Sequence, residues 1–230
     1  MAEAAFLGPL LAIDTCGPSG SVALGRLAGR DLEILGQREL EGRSYSATLV
    51  AAVAEVLGEA GIALRDLGGI VAVNGPGSFT GVRVGLSAVK GLAEGEQIPV
   101  VAISRLLVLS RKSGVPTCAL DAHREEVYLR YEEKEQPPRE LLAGKAELAA
   151  IQPPLRVGIC DEGSAALLKT VWPTTQLVRC EAPTAADALR IGEAKFVAGG
   201  KVDLASLDGH YLRRSDAEIF GEAAAEQKRQ

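Results

Sequence analysis

Apolar and polar positions along this chain alternate between two rhythms, short unbroken apolar runs and longer stretches with helical spacing. Leu10-Leu11-Ala12-Ile13-Asp14-Thr15 is an apolar run closed by two polar residues, which predicts a buried strand. Gly17-Pro18-Ser19-Gly20 turns the chain, Ser21–Leu24 starts a second strand, and a third follows over Leu32–Leu40 after the turn at Ala28-Gly29-Arg30-Asp31. Leu49, Val53, Val56, Leu57 and Ala60 then recur at helical spacing until Gly61 stops them. Ile70–Val73 predicts another buried strand, and Val82, Leu86, Val89 and Ala93 mark one face of a helix. A strand at Pro99–Ala102 and a helix from Ser104 to about Lys112 close this half.

The order then begins again. Thr117–Ala122 echoes the first strand, and Glu126–Tyr131 echoes its hairpin partner Ser21–Arg26. After Pro137-Pro138 the pattern predicts a short helix near Lys145–Ile151, a strand at Arg156–Ile159 and a helix over Ser164–Thr170. A strand at Gln176–Arg179 and a helix over Thr184–Ala198, capped by Gly199-Gly200, complete it. An α/β fold built from two duplicated βββαβα halves is expected. It divides into an N-terminal lobe over residues 1–112 and a C-terminal lobe over 113–230, whose last segment packs back on the first lobe.

Between strand and helix in the middle of the first half stands Asn74-Gly75-Pro76-Gly77-Ser78-Phe79-Thr80-Gly81. Gly tolerates positive φ and Pro lacks an N–H, so regular structure breaks here, and Gly77 is a candidate for a left-handed conformation. Ser78 or Thr80 can cap the following helix. Backbone N–H groups beside a helix N-terminus suit an anion or a partner's backbone. The familiar nucleotide and nucleophile motifs do not fit. Thr80 stands where the dinucleotide fingerprint wants its third Gly, there is no GxxxxGK[ST], and Ser78 lacks the flanking glycines of a nucleophile elbow.

Composition narrows the function classes. With a net charge of −5 and a pI near 5.3, the chain does not look like a protein that grips nucleic-acid phosphates with its own surface. Cys16, Cys118, Cys160 and Cys180 are far apart without a CxxC pair, so reduced thiols are expected. No basic leader and no bilayer-length apolar run are apparent, so a soluble cytoplasmic protein without membrane contact is expected.

Gly75-Pro76-Gly77-Ser78-Phe79-Thr80-Gly81-Val82-Arg83-Val84-Gly85 resembles the GPGSFTGxRxG signature of the TsaB (YeaZ) family, which belongs to the bacterial machinery making threonylcarbamoyladenosine in tRNA. Ala119-Leu120-Asp121-Ala122-His123-Arg124-Glu125-Glu126-Val127-Tyr128 resembles that family's AIDARxxEVY segment, with His123 where Arg is usual. Tyr211-Leu212-Arg213-Arg214 resembles its closing PVYLR element, with His210 before the Tyr. Tyr45 stands in the first helix where family members often carry His. Before Pro9 and beyond Ser215 the resemblance carries no information. The duplicated halves resemble the two-lobed actin, Hsp70 and sugar-kinase (ASKHA) superfamily.

Chemistry within that frame is sparse. Asp14 and Asp121 end the first strand of each half, where nucleotide-splitting members of the superfamily hold a metal and water near phosphates. The second loop, Asp121-Ala122-His123, lacks a phosphate-cradling Gly, and local capping of backbone N–H groups is the simpler role for both aspartates. Asp14, Thr15 and Ser19 are the candidates for any nucleotide contact. The sister family TsaD carries an HxxxH metal pair; here Val101-Ala102-Ile103-Ser104-Arg105-Leu106 has no His, and His123 and His210 are remote from each other in sequence. No catalytic residue and no metal site is assigned.

Small residues crowd the first-half helices: Ala47, Ala51, Ala52 and Ala54 on one, Gly81, Gly85, Ala88 and Gly91 on the next. Helical Gly costs ~0.5–1 kcal/mol against Ala, and a close-packed partner helix would offset it. Tyr45, Ala52, Arg83, Gly85 and Ala88 are therefore candidates for a partner surface. The resemblance implies pairing with TsaD through these helices, TsaE joining the assembly, self-association when alone, and contact with tRNA only through the complex. It implies no intrinsic cofactor, with ATP or ADP at a composite interface with the partner. Two alternatives stay open: a small-molecule kinase or ATPase using Asp14 and the Gly loop, and a glycoprotease-like peptidase.

Overall fold

Every side chain of β1 (Leu10–Asp14) and of β4 (Gly69–Val73) is buried, and these two strands form the parallel centre of the first sheet. The computed structural model describes residues 8–28, 31–42, 44–132 and 136–213. Arg214, the segment from Ser215 onward and most of the stretch before Pro9 lie outside the described residues.

The first sheet has the order β3-β2-β1-β4-β5, with β2 at Ser19–Ala28, β3 at Asp31–Glu41 and β5 at Val100–Ile103. β2 pairs antiparallel with β1 and with β3, whereas β4 pairs parallel with β1 and with β5. The second sheet repeats the plan. Its order is β8-β7-β6-β9-β10, formed by Arg139–Ala143, Val127–Tyr131, Cys118–Asp121, Arg156–Ile159 and Gln176–Arg179, with the same senses of pairing.

The helices are α1 (Tyr45–Ala60), α2 (Phe79–Glu96), α3 (Arg105–Ser113), α4 (Lys145–Ala149), α5 (Glu162–Val171) and α6 (Ala185–Val197). Each half therefore runs βββαβαβα, one βα unit longer than the expected repeat. Strand β8 is the element that the apolar pattern does not reveal. It is an edge strand that opens with Arg139 and Glu140, and only Ala143 of its five residues is fully buried.

Helix ends follow the sequence signals. Gly61 closes α1 in the left-handed region at φ 65°, and Ser78, rather than Thr80, caps α2 by accepting the Gly81 N–H at 3.3 Å. Gly199 closes α6 at φ 76°, with the Gly200 N–H donating to the Lys195 carbonyl at 2.9 Å, so this pair is a helix cap.

Sequence halves and spatial lobes do not coincide at two helices. Leu106 and Leu109 of α3 pack with Cys118, Leu120 and Tyr128 on the second sheet. In exchange, Ala185, Ala188, Leu189 and Phe196 of α6 join the core of the first lobe. Gly192 makes that fit, since a Cβ there would lie 2.2 Å from Val71. The remaining second-lobe core centres on Trp172, whose Nε1–H donates to the Leu148 carbonyl at 3.0 Å. Beyond α6 the chain returns to the first sheet, where Val202 bridges antiparallel to Val100 and Leu207 is buried. Among the described residues no helix is long and apolar enough to cross a membrane.

Candidate functional site

Two regions bear on function, the cleft end of the first sheet and the outer faces of α1 and α2. At the cleft, the Gly-rich loop wraps the turn between β1 and β2. Gly75, at φ 113°, occupies the left-handed side and follows Asn74 into a cis bond with Pro76. Gly77 does not have positive φ. It is required for a different reason, because a Cβ there would stand 2.1 Å from the Cys16 carbonyl oxygen. Two of the loop's donors are taken internally. The Ser78 N–H donates to that same Cys16 carbonyl at 2.8 Å, and the Gly81 N–H donates to its own cap.

Thr15 explains the glycines inside α2. Its hydroxyl donates to the Gly81 carbonyl at 2.7 Å, and Cβ atoms at Gly81 and Gly85 would lie 2.1 Å from its carbonyl oxygen and 2.2 Å from its hydroxyl oxygen. The helix is thus pressed against the end of β1. Two of the three glycines expected to serve a partner helix serve this internal approach instead, while Gly91 faces open space.

Asp14 is sealed by a guanidinium. One carboxylate oxygen accepts the Cys16 N–H at 2.8 Å and the other the Arg105 Nε–H at 3.3 Å, with both side chains buried. Arg105 also covers Gly17, where a Cβ would sit 2.3 Å from the guanidinium, and the Tyr45 hydroxyl donates to the Gly17 carbonyl at 2.9 Å. Burial pushes the Tyr45 phenol up to about 12, with the Asp14 charge adding to the effect. The same two causes hold the Cys16 thiol well above its usual range. For Arg105, burial would favour the neutral form, but the Asp14 charge together with Cys16, Cys160 and the hydrogen bond to Asp14 outweighs it, and the guanidinium is held more firmly protonated. A cation built into the fold therefore stands against the carboxylate that a metal or phosphate site would need, and the second nucleotide candidate, Thr15, is committed to α2. Ser19 is the one exposed member of that trio. Arg105 is the residue that sequence reasoning missed. Its signal was a lone charge in Val100-Val101-Ala102-Ile103-Ser104-Arg105-Leu106-Leu107-Val108-Leu109, a segment with no solvent face to receive it.

The corresponding turn of the second lobe is backbone-strained. His123, Arg124 and Glu125 stand at φ 60°, 56° and 58°, three successive non-Gly residues in the left-handed region. One Asp121 oxygen accepts the His123 N–H at 2.7 Å and the other lies 3.1 Å from His123 Nδ1. The Asp121 carboxylate rests on Gly163 at the start of α5, beside an open cavity of 390 Å³ that His123 and Lys145 also line. His210 is far from this turn's histidine in role: its Nε2 lies 2.8 Å from Glu140. Among the described residues, no three His, Cys, Asp or Glu side chains gather in a metal-binding group.

The outer helix faces correct the expected partner surface. Tyr45, Ala52 and Gly85 are buried against their own lobe, because the sheet and the β1–β2 turn occupy that side of α1 and α2. Arg83 is exposed, with its guanidinium 3.7 Å from the Phe79 ring centre, and Ala88 is half-buried. The open positions include Ala47, Val50, Ala51, Ala54 and Gly58 on α1, and Ser87, Gly91 and Gly95 on α2. Val50 is 60% exposed, and nothing lies within 4 Å of a Cβ built on Gly58, Gly91 or Gly95.

Two halves of one topology, each ending its first strand in an aspartate, define a duplicated two-lobed α/β protein built on mixed five-stranded sheets. A family model described as TsaD, tRNA N6-adenosine threonylcarbamoyltransferase, matches residues 37–143. The chain is similar to the tRNA threonylcarbamoyladenosine biosynthesis protein TsaB of Escherichia coli (strain K12), 35% identical over 125 residues that make up 52% of either chain. It is 35% identical over 123 residues to the protein of the same name from Bacillus subtilis (strain 168), again 52% of each. Among solved structures, YeaZ from Pseudomonas aeruginosa matches with a TM-score of 0.71 at 27% identity, over 90% of this chain and 100% of that one. The chain is similar to proteins of the TsaB/YeaZ family in sequence over about half its length and in structure over most of it. It spans about half the length of the curated relatives it matches.

Proposed function

We propose that this chain takes part in forming threonylcarbamoyladenosine in tRNA as a non-catalytic subunit. The observation that carries this reading is the buried Asp14–Arg105 pair. It commits the first-lobe carboxylate to an internal cation at the place where a kinase or ATPase of this fold would need it for metal and phosphate. The kinase alternative is weakened for that reason. The peptidase alternative finds no support either, since Ser78 caps a helix while His123 faces Asp121 and His210 faces Glu140.

In this reading the chain acts by association. It pairs with TsaD through the outer faces of α1 and α2, where Val50, Ala51, Gly91 and Gly95 lie open, and TsaE joins the pair. The same faces would meet when the chain self-associates. Contact with tRNA would come only through the complex, and ATP or ADP would sit at a surface completed by the partner. The test is co-purification with TsaD of the same organism, with and without ATP, alongside an ATPase assay of the isolated chain. Stable capture and no turnover are expected. Failure to capture TsaD, or turnover that an Asp14→Ala variant abolishes, would overturn the proposal.

A further inference from the structure

Cys160 and Cys180 are not neighbours in sequence, but the second sheet brings them side by side. β9 and β10 pair in parallel through Arg179↔Ile159, and the Cys180 N–H continues that ladder by donating to the Ile159 carbonyl at 3.0 Å. This bond sets Cys180 opposite Cys160, one step beyond the last strand pair. Opposed residues on parallel strands point their side chains to the same face. Adjacent strands lie about 4.8 Å apart. That spacing falls within the roughly 4.4–6.8 Å Cα separation that a disulfide bridges. Both cysteines are free, half-buried and packed against the same apolar cluster under α3. Neither sulfur is held by a short bond: Cys160 Sγ lies 3.9 Å from Asp161 Oδ2 and Cys180 Sγ lies 3.8 Å from the Ile159 carbonyl. β10 is the open edge of its sheet, which leaves the pair approachable from one side.

We propose that Cys160 and Cys180 are a redox modification site, closing to a reversible disulfide by exchange with a small-molecule disulfide such as oxidised glutathione. The Cys180 thiolate attacks one sulfur of glutathione disulfide, forming a mixed disulfide and releasing one glutathione thiolate. The Cys160 thiolate then attacks the Cys180 sulfur and displaces the second. Two protein thiols are oxidised to one disulfide, and glutathione disulfide is reduced to two glutathione thiols, which take up the two protons. Cys180, on the edge strand β10, is the more approachable first nucleophile. Burial raises the thiol pKa at both cysteines; nearby acids add to this, Asp161 at Cys160 and Asp187 and Glu181 at Cys180, and the Lys112 cation opposes it at both. The other two thiols do not compete. Cys118 is fully buried, donates to the Leu106 carbonyl at 3.1 Å and pairs with Gly158, two residues short of Cys160, while Cys16 belongs to the other lobe.

The bridge would tie the root of the segment that leads into α6. Just beyond Cys180, Lys112 donates to the Ala182 carbonyl at 3.0 Å and to Asp187 at 2.8 Å, so the oxidised state would stiffen the crossover between the lobes. The test equilibrates the full, reduced chain in buffers of falling reduced-to-oxidised glutathione ratio, quenches with acid, alkylates free thiols and maps the peptides. The expected result is loss of two of the four alkylatable thiols per chain and a single cross-linked peptide pair carrying Cys160 and Cys180. A Cys160→Ser variant should stop at the mixed disulfide, with glutathione on Cys180. Four thiols still alkylatable at the most oxidising ratio would overturn the proposal. So would a bridge through Cys118, or between two chains.

Discussion

Single atoms decide most of what happens at the Gly-rich loop. Gly77, Gly81 and Gly85 have no space for a Cβ, because Cys16 and Thr15 lie within 2.2 Å of where it would stand. Gly77→Ala and Gly85→Ala should each lower stability by about 1–3 kcal/mol, as overpacking does in a close-fitted core. Gly91→Ala should do the opposite. Its Cβ meets nothing within 4 Å in an exposed helix interior, and a gain of about 0.5–1 kcal/mol is expected. Urea denaturation of the three variants distinguishes these outcomes, and a destabilised Gly91→Ala would contradict the open surface described here. The motif was legible in the sequence, but its cause was not. Positive φ is a local property that a sequence suggests, whereas the approach of Thr15 to α2 arises only once β1 and α2 are packed.

Asp14 and Arg105 show the same limit at longer range. The aspartate at a strand end was visible as a candidate, but its partner stands 91 residues away and has no local signal except its apolar flanks. Arg105→Met should cost about 3–5 kcal/mol, since it leaves a buried carboxylate unpaired. Adding Asp14→Asn to that variant should restore part of the loss by removing the orphaned charge. Equilibrium unfolding of the single and double variants would show it, and strictly additive losses would mean that the pair is not coupled.

At the scale of elements, periodicity revealed nine of the ten strands and all six α-helices among the described residues, because most of those segments bury a clear stripe or an unbroken run. β8 escaped it because an edge strand with a charged start has neither. The left-handed turn at His123–Glu125 escaped for another reason, since no Gly or Asn marks it. Helical faces were the hardest to assign. Small residues such as Ala52 and Gly85 looked like an outer contact surface and are instead the inner side, where the sheet and Thr15 press closest. The partner surface must then be tested at outward positions. Val50→Glu and Gly91→Arg should leave the circular dichroism spectrum near wild type yet weaken TsaD capture at least tenfold, because a charge placed in a close helix contact loses its water without gaining a partner. Undiminished capture by both variants would move the partner surface elsewhere.

Across the whole molecule the two lobes are joined by exchange of helices and by the returning C-terminal segment, and Glu140 is where several of these connections meet. Its carboxylate accepts from the Ser104 hydroxyl at 2.6 Å, next to α3, and from Arg130 at 2.9 Å on the neighbouring strand. It also lies 2.8 Å from His210 Nε2, and the backbone N–H of His210 donates to the Asn74 carbonyl at 2.6 Å in the first lobe. Burial alone would raise the Glu140 pKa, but hydrogen bonds from His210, Ser104 and Arg130 outweigh it and hold the carboxyl below its ordinary 4.5. In the unfolded chain the group returns to that ordinary value and binds its proton more readily. Its contribution to stability is therefore complete above about pH 4.5 and is lost as the pH falls through the lower folded value. Glu140→Gln should destabilise the protein at neutral pH by about 1–3 kcal/mol, the range for lost hydrogen bonds to charged groups. The gap between wild type and variant should narrow as acid protonates the wild-type carboxyl. Urea midpoints of both proteins, measured from neutral pH downward, give the difference curve directly, free of the other carboxylates that both share. A gap that stays constant below pH 4.5 would show that the charge on Glu140 does not contribute to holding the lobes together.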